Sequence, residues 1–218
     1  MSMEAELRQG LAALSLPLSD EQVSQLLAYL ELLQKWNRVY NLTAVRDPQQ
    51  MLTHHLLDSL AAVPSLLAYH QQYAASSLLD VGSGGGLPGV VFAICCPKLQ
   101  VHCVDTVGKK AAFIQTAATQ LRLPNLKSIH ARVEQLQDRY DLISSRAFAT
   151  LADFTAWSRQ ALADNGCWMA LKGKHPQPEI DALPQGIAVF HVEQLQVPQL
   201  DAERCIVWMR LQADNTAA

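Results

Sequence analysis

The stretch Ser77-Leu-Leu-Asp-Val-Gly-Ser-Gly-Gly-Gly-Leu-Pro-Gly89 decides the fold of this 218-residue chain. A short apolar run ends at Val81, and five glycines follow within the eight residues from Gly82 to Gly89. Glycine allows a sharp turn and lets a ligand approach the backbone without a Cβ in the way. The pattern predicts a strand, a ligand-binding turn and then a helix.

The same alternation continues toward the C-terminus. Further strands are predicted at 99–105, 127–130, 140–144 and 167–171, and helices at 87–94, 109–121 and 151–162, the last closing at Gly166. Strands that alternate with helices of this length indicate βαβ units and a parallel sheet. Residues 187–211 read as two strands joined around Pro198, so we expect an antiparallel pair at one edge. The predicted fold class is α/β, Rossmann-like, with a mostly parallel seven-stranded sheet and an antiparallel edge strand.

Residues 3–70 have a helical period instead. Leu7, Leu11 and Leu14 mark a first helix, and Ser19 with Gln22 forms a capping box that opens a second helix, running to about Trp36. Asp47 and Pro48 cap a third helix, which has Met51, Leu52, Leu56 and Leu60 on one face and which Pro64 bends or ends. We predict a helical N-terminal extension over 1–72 and the sheet domain over 73–218.

Composition excludes several classes of protein. Half of the residues are apolar and 17% are charged, which argues against disorder. No apolar run reaches the roughly 18 residues of a membrane helix, and the charged N-terminus is unlike a signal peptide. The five cysteines include no C-x-x-C pair, and the adjacent His54 and His55 would point apart on a helix. We expect a cytoplasmic protein without disulfides, metal or membrane contact.

The net charge of −3 is unevenly distributed. Residues 81–174 hold 11 basic and 6 acidic residues, a balance of +5, whereas residues 1–80 and 175–218 each carry −4. A basic middle between acidic ends fits a surface that faces a polyanion, because phosphate contacts supply most non-specific nucleic-acid affinity. A scatter of solvated surface charge explains the same numbers.

Two carboxylates narrow the choice of ligand for the glycine-rich turn. Gly84-x-Gly86-x-x-Gly89 satisfies the dinucleotide pattern. Asp105 ends the second strand, and its separation in sequence from Gly82 is close to that expected of a ribose-binding carboxylate. Ribose recognition fits both a nicotinamide cofactor and S-adenosylmethionine. An acidic residue just ahead of Gly82-x-Gly84-x-Gly86 favours S-adenosylmethionine, with Asp80 in that place. Asp80 could instead bond only the amides of the turn.

Short motifs along nearly the whole chain resemble one family. They are Trp36-Asn37-x-x-Tyr40-Asn41-Leu-Thr, His55-x-x-Asp58-Ser59, Gly82-x-Gly84-x-Gly86-Leu-Pro-Gly89, Val104-Asp105-x-x-Gly108-Lys109-Lys110, Arg132-Val133-Glu134, Ser145-Arg146-Ala147-Phe148-Ala149, Ala170-Leu171-Lys172-Gly173 and Leu195-Gln-Val-Pro198-x-Leu-Asp201-x-Glu203-Arg204. The sequence thereby resembles the bacterial guanine-N7 methyltransferases of small-subunit ribosomal RNA, historically called glucose-inhibited division protein B. The first fifteen or so residues carry no such match.

The resemblance implies a class I S-adenosylmethionine-dependent methyltransferase fold with a helical N-terminal extension. It implies methyl transfer to N7 of guanine 527, in the 530 loop of 16S rRNA, within the small subunit or an assembly intermediate. By that likeness Gly82 and Leu87 line the cofactor pocket, Val133 and Glu134 flank the adenine, and Arg146 is the catalytic residue at the junction of cofactor and substrate. We expect the enzyme to be a monomer.

Guanine N7 carries a free lone pair and no proton, so in-line displacement from the sulfonium needs no general base. After the fourth strand, where amino-group methyltransferases carry Asn/Asp-Pro-Pro-aromatic, this chain has Ser144-Ser-Arg-Ala-Phe148. Cytosine-C5 enzymes need a cysteine near that place, and the nearest, Cys167, lies in the next predicted strand. Arg146 could bond a phosphate or guanine O6 and leave N7 open.

Residues expected to contact RNA are basic, polar or aromatic. They are Arg38, Asn41, Arg46, His55, Lys109, Lys110, Arg132, Phe148 and Lys172. For the lysines, solvated surface charge is the alternative interpretation, and for Phe148 a place in the core. Asp58 could pair with His55, since the two residues lie three apart on a helix.

Three other functions stay open at this point. The first is a methyltransferase for a small molecule, with the N-terminal helices as a lid. The second is a nicotinamide-dependent oxidoreductase, and the third is an RNA-binding module without catalysis.

Overall fold

The computed structural model describes residues 2–212 and is built on one seven-stranded sheet. Its strands are β1 Ser77–Val81, β2 Gln100–Asp105, β3 Leu126–His130, β4 Tyr140–Arg146, β5 Leu162–Lys172, β6 Ile187–Leu195 and β7 Arg204–Leu211. The strand order is β3-β2-β1-β4-β5-β7-β6. Strands β1 to β5 pair in parallel, and β7 pairs antiparallel with both β5 and β6. The predicted α/β fold is confirmed, and the antiparallel pair closes one edge with β6 outermost.

Nine α-helices surround the sheet or precede it within residues 2–212. They are α1 Met3–Ala13, α2 Asp20–Tyr40, α3 Pro48–Met51, α4 Asp58–Leu60, α5 Val63–Tyr73, α6 Gly89–Cys95, α7 Gly108–Gln120, α8 Leu151–Ser158 and α9 Gln177–Asp181. A π-helical segment, Leu52–Leu57, connects α3 to α4. Ser19 and Gln22 form the predicted capping box of α2.

The helical prediction differs from the structure most clearly at three boundaries. Helix α2 runs one turn past Trp36, to Tyr40, where Asn41 ends it in a left-handed conformation. Pro64 lies in the first turn of α5, where the missing N–H of proline costs nothing. It therefore stands at the start of a helix instead of bending or ending one. Gly166 does not close a helix: α8 ends at Ser158, and Gly166 lies within β5, which already pairs with β4 at Leu162.

The helical extension and the sheet share one hydrophobic core. Leu7, Leu30 and Leu56 belong to the same buried cluster as Leu78 and Phe92 of the sheet domain. A second cluster fills the other face of the sheet, under α8. The division at residues 72 and 73 stays a prediction, and residues 213–218 of the predicted sheet domain lie outside the described part of the chain. Among residues 2–212 no helix is long and apolar enough to cross a membrane.

Candidate active site

Two adjoining cavities open at the edge where the parallel strands end. Each has a volume of about 470 Å³, and both are lined by Gly82 and Ala147. The first cavity reaches toward the helical extension, and the second reaches over the ends of β2 and α7. Ligands of open α/β sheets bind outside the carboxyl ends of the strands, so this pair of cavities is the candidate active site.

The glycine turn, residues 82–89, contributes backbone to the walls of both cavities. The amides of Gly82 and Ser83 donate to the carbonyl of Val104, at 2.9 and 3.3 Å, which ties the turn to β2. Gly82 has a φ of +67°, and a Cβ there would collide with the ring of Phe148. Gly82, Gly84 and Leu87 line the first cavity, whereas Gly86 is buried under the turn and lines neither.

Asp80 lies beneath this turn, fully buried, and lines neither cavity. Its carboxylate accepts hydrogen bonds from the amide of Gly89, at 3.1 Å, and the hydroxyl of Ser144, at 2.9 Å. Burial raises the pKa of Asp80 to about 6, although the bonds from Ser144 and Gly89 act to lower it. Its surroundings correct the expectation of direct cofactor contact, because protein atoms enclose the carboxylate. The alternative interpretation, a strand-end residue bonded to the turn, describes it.

Asp105, at the end of β2, lines the second cavity and bonds both the glycine turn and the start of α7. One carboxylate oxygen accepts from the amide of Gly84, at 3.0 Å, and the other from the amide of Val107, at 2.8 Å. The ammonium of Lys110 lies 3.9 Å away. A carboxylate has about four lone-pair sites, so acceptor capacity remains for hydroxyl groups in the cavity.

The rest of the second cavity combines apolar and charged residues. Val133 and Glu134, on a short 3₁₀ turn, line it beside Arg132. The ring of Phe148 is partly buried, packs on the second core cluster and meets the ring of Trp157 edge-on, with centroids 5.8 Å apart. The structure thus places Phe148 in the wall between the cavities, against Gly82.

Arg146, at the end of β4, lies in the first cavity and is bound by the helical extension. Its guanidinium donates to Asp58, at 2.7 Å, and to the carbonyl of His54, at 3.2 Å. The other carboxylate oxygen of Asp58 accepts from Arg204 of β7, at 2.6 Å. Asp58 is buried, and both arginines keep part of their side chains exposed to the cavity. The cavity therefore holds two guanidiniums around one carboxylate.

His55 and Lys172 line the same cavity but already have protein partners. The Nε2 atom of His55 lies 2.7 Å from the hydroxyl of Thr43, and Asp58 bonds the two arginines rather than His55, which corrects the expected pair. Burial lowers the pKa of His55 to about 4, and the charge of Arg146 adds to that effect. The ammonium of Lys172 donates to Glu179, at 2.7 Å, and to the carbonyl of Ala149.

The remaining predicted RNA residues are exposed or partly exposed polar and basic side chains. Arg38 and Arg46 are exposed, and Arg46 donates to the side chain of Asn41, at 3.3 Å. Lys109 is exposed in the first turn of α7, and Lys110 faces Asp105. Whether any of them contacts RNA stays a prediction.

No cysteine among the described residues is poised as a nucleophile. All five are buried, and burial raises the pKa of each thiol. Within residues 2–212 no group of three His, Cys, Asp or Glu side chains is arranged to hold a metal ion.

Sequence reasoning assigned no site role to Arg204, Asp58 or Trp157, all of which the fold brings to the cavities. Arg204 also belongs to a matched motif, but only the antiparallel direction of β7 shows that it begins its strand at the ligand edge. The signal for Asp58 was its place in a matched motif.

The family model for rRNA small subunit methyltransferase G, GidB, matches residues 22–207. The chain belongs to this family. A Ribosomal RNA small subunit methyltransferase G from Acidovorax sp. (strain JS42) is 67% identical over 216 residues, covering 96% of each chain. One from Polaromonas naphthalenivorans (strain CJ2) is 63% identical over 212 residues, again with 96% of each chain covered. The methyltransferase class and S-adenosylmethionine as methyl donor, both predicted for the GidB family, are confirmed.

Solved structures agree on the fold. N-methyltransferase NodS from Bradyrhizobium japonicum WM9, in complex with S-adenosyl-L-homocysteine, superposes with a TM-score of 0.55 over 84% of this chain and 99% of that chain. A SAM dependent methyltransferase from Aquifex aeolicus gives 0.53 over 81% and 97%. At 15% and 14% identity, these likenesses establish the fold alone.

The residues of this GidB-family chain fit the cofactor. The turn presents bare backbone at Gly82 and Gly84, and Asp105 keeps acceptor sites for ribose hydroxyls in the neighbouring cavity. Val133 and Phe148 give that cavity an apolar wall for a purine. When bound, S-adenosylmethionine supplies the activated methyl group on its sulfonium.

Proposed function

We propose that this protein transfers the methyl group of S-adenosylmethionine to N7 of guanine 527, in the 530 loop of 16S rRNA. One observation carries the proposal: the second cavity, which fits the donor, adjoins across Gly82 the first cavity, which is lined by the guanidinium groups of Arg146 and Arg204. An electropositive acceptor site suits a nucleic-acid substrate better than a small neutral one. Membership of the family supports the same substrate class.

The chemistry at N7 asks for positioning rather than proton transfer. N7 has a lone pair in the neutral base, so it attacks the methyl carbon in line while the sulfonium leaves as a neutral thioether. Holding the two atoms in this geometry replaces an improbable encounter with a near-attack arrangement. His55 is neutral at physiological pH because its pKa is about 4, and Thr43 occupies its Nε2 atom. Guanine N7 carries no proton, so the reaction gives neither His55 nor Thr43 a proton to remove.

The role we assign to Arg146 is to hold the guanine. Asp58 and the carbonyl of His54 bind its Nη1 atom, so the guanidinium has a fixed orientation at the cavity wall beside Gly82. Its remaining donors suit guanine O6 or a phosphate, and such contacts leave N7 free. Arg204 extends the same cationic wall on the far side of Asp58.

The depth of the site sets a condition on the substrate. A base inside a helix cannot reach the wall between the cavities, so the target nucleotide must be unstacked and turned toward the enzyme. Enzymes that modify bases meet this need by acting on single strands or by flipping the base out. A guanine in an exposed rRNA loop meets this condition with the smallest free-energy cost of unstacking. We place the reaction in the cytoplasm, with a monomer acting on the small subunit or its assembly intermediate.

Methyl transfer to defined substrates tests this function. Purified protein and radiolabelled S-adenosylmethionine are incubated with naked 16S rRNA, an assembly intermediate and mature small subunits, all from cells that lack the enzyme. Aniline cleavage followed by reverse transcription locates the N7-methylated nucleotide. A single stop at guanine 527 is expected in at least one substrate. Label that enters small metabolites and not RNA would refute the proposal.

A further inference from the structure

An exposed aromatic ring marks the rim of the candidate active site. Tyr40, the last residue of α2, is 41% exposed, and the neighbouring Val39 is 69% exposed. Two residues further on, Leu42 begins the wall of the first cavity, followed by Thr43. Tyr40 therefore lies at the end of α2 that leads directly into the wall of the cavity to which we assign the guanine.

The packing of α2 against α7 brings Lys109 to the same end of the helix pair as Tyr40. The two helices run antiparallel, because Gln25 bonds the carbonyl of Leu121 at one end while Trp36 contacts Phe113 further along, with centroids 5.5 Å apart. One helical turn beyond that contact, α2 reaches Tyr40 and α7 reaches Lys109. Lys109 is exposed and forms no ion pair with any residue in 2–212.

The ring is also held in place before any ligand binds. Trp36, one turn earlier on the same face of α2, contacts Tyr40 with ring centroids 5.1 Å apart. A ring supported in this way loses little side-chain freedom when a second ring stacks on it, so the stacking free energy is retained as affinity. A ring that is held by a neighbouring ring and is still 41% exposed can serve as a stacking platform.

We propose that Tyr40 and Lys109 hold the nucleotide next to the target guanine, with its base stacked on Tyr40 and its phosphate beside Lys109. The proposal rests on the proposed function and extends it to a second contact outside the reacting base. Single-stranded RNA is the occupant that the site favours, because an unpaired base offers a flat face and a phosphate together. Pinning a neighbour would keep the unstacked guanine directed into the cavity.

Binding to a single-stranded RNA copy of the 530 loop tests the site independently of catalysis. Fluorescence anisotropy would compare the original protein with Tyr40→Ala, Tyr40→Phe and Tyr73→Ala. Tyr73 is a matched control, since it is exposed and stacks on Tyr69 one turn earlier, but it precedes β1 at the opposite edge of the sheet. We expect Tyr40→Ala to weaken binding about 5- to 100-fold, as for loss of one stacked base. Tyr40→Phe and Tyr73→Ala should stay within about twofold of the original protein.

Abasic RNAs make the test specific to stacking. If Tyr40 stacks on one base, removing that base weakens binding by the original protein but adds nothing to the loss in Tyr40→Ala. Lys109→Gln should lower the salt slope of binding by about one unit, while Lys98→Gln, at the opposite sheet edge, leaves it unchanged. Equal binding by Tyr40→Ala, additive abasic effects, or a loss seen only with whole subunits and not with RNA would each overturn the site, the last by indicating a protein partner. A protein that binds RNA through Tyr40 yet methylates no guanine refutes only the proposed function.

Discussion

Asp58 of the helical extension and Arg146 of the sheet form an ion pair of 2.7 Å in the wall of the first cavity. Asp58 is 6% exposed and also accepts from Arg204, at 2.6 Å, so one carboxylate connects α4 to two separate strands. Removing one partner of a buried pair leaves a charge without compensation, which is costly. The extension therefore completes the active site rather than only covering it.

Asp58→Asn should destabilise the protein by about 2–4 kcal/mol, below the upper range for buried pairs because water reaches both guanidiniums. Urea unfolding followed by circular dichroism measures the change. Asp20→Asn is the control, since the Asp20–Arg8 pair is exposed and water screens its charges. Equal losses in the two variants would show that Asp58 is not a structural tie between the extension and the sheet.

Most of the fold could be predicted from the sequence, because the periodicity of the apolar residues and the positions of the glycines specify its helices, strands and turns. The run from Ser77 to Gly89 contains its own strand, turn and helix start, and the structure has all three. Local signals failed where tertiary pairing overrode them. Gly166 looks like a helix end, but the Leu162 end of β5 pairs with Tyr140 of β4, and that contact lies far away in sequence.

The site was harder to predict than the fold, since its residues meet only through topology. Asp105 could be placed because it ends a parallel strand beside the glycine turn. Asp58 and Arg204 are separated by 146 positions, and no local pattern shows that they touch. Asp80 was assigned to the ligand from its spacing alone, and spacing does not reveal that Ser144 and Gly89 enclose its carboxylate.

Gly82 and Gly84 provide a matched pair for the glycine turn. Both have positive φ, +67° and +58°, so alanine at either position costs about 1–2 kcal/mol of backbone strain. Only at Gly82 would the new methyl group meet the ring of Phe148, whereas at Gly84 it would make only an ordinary contact, 3.9 Å from the carbonyl oxygen of Gly82. Thermal unfolding should show Gly82→Ala to be less stable than Gly84→Ala by about 1–3 kcal/mol. Adding Phe148→Ala to Gly82→Ala should reduce that excess, and an unchanged excess would exclude the collision.

Asp105→Asn should weaken binding of S-adenosylhomocysteine about 10- to 100-fold, because a charged acceptor for hydroxyl groups becomes a neutral one. Isothermal titration calorimetry measures this affinity, and an unchanged melting temperature would show that the fold survives. Asp164→Asn, at an exposed ion pair that lines neither cavity, should bind as the original protein does. NADH should bind to none of the three. If Asp105→Asn bound S-adenosylhomocysteine with full affinity, this carboxylate would not belong to the cofactor site.

Asp80→Asn should change how stability depends on pH. The folded-state pKa of Asp80, about 6, lies above its ordinary value of 3.8, so folding favours the protonated carboxyl. That contribution is complete below pH 4 and is lost as the pH rises through 6. Relative to the original protein, the variant should therefore gain up to about 3 kcal/mol between pH 4 and 7. Urea unfolding at four pH values tests this.

Asp141 gives a control of opposite sign. Although partial burial acts to raise the pKa of Asp141, hydrogen bonds from Ser76 and Ser77 hold it below the ordinary value. Its stabilising contribution is present above that ordinary value and is lost as the pH falls. Asp141→Asn should thus lose stability at neutral pH and approach the original protein in acid. If stability changed with pH in the same direction in both variants, the raised pKa of Asp80 would be contradicted.

Arg146→Ala should slow methyl transfer about 10²- to 10³-fold, the loss typical of one preorganised donor, without adding an ionisation to the rate profile. Single-turnover rates between pH 6.5 and 9 measure this, with saturating donor and RNA. The profile should stay flat for both proteins, because His55 is already neutral above pH 5 and all five thiols are buried with raised pKa values. Arg139→Ala, which breaks an exposed pair with Asp164, is the control and should transfer at the original rate. A bell-shaped profile that disappears in His55→Gln would mean that a histidine moves a proton, and the mechanism without a general base would be wrong.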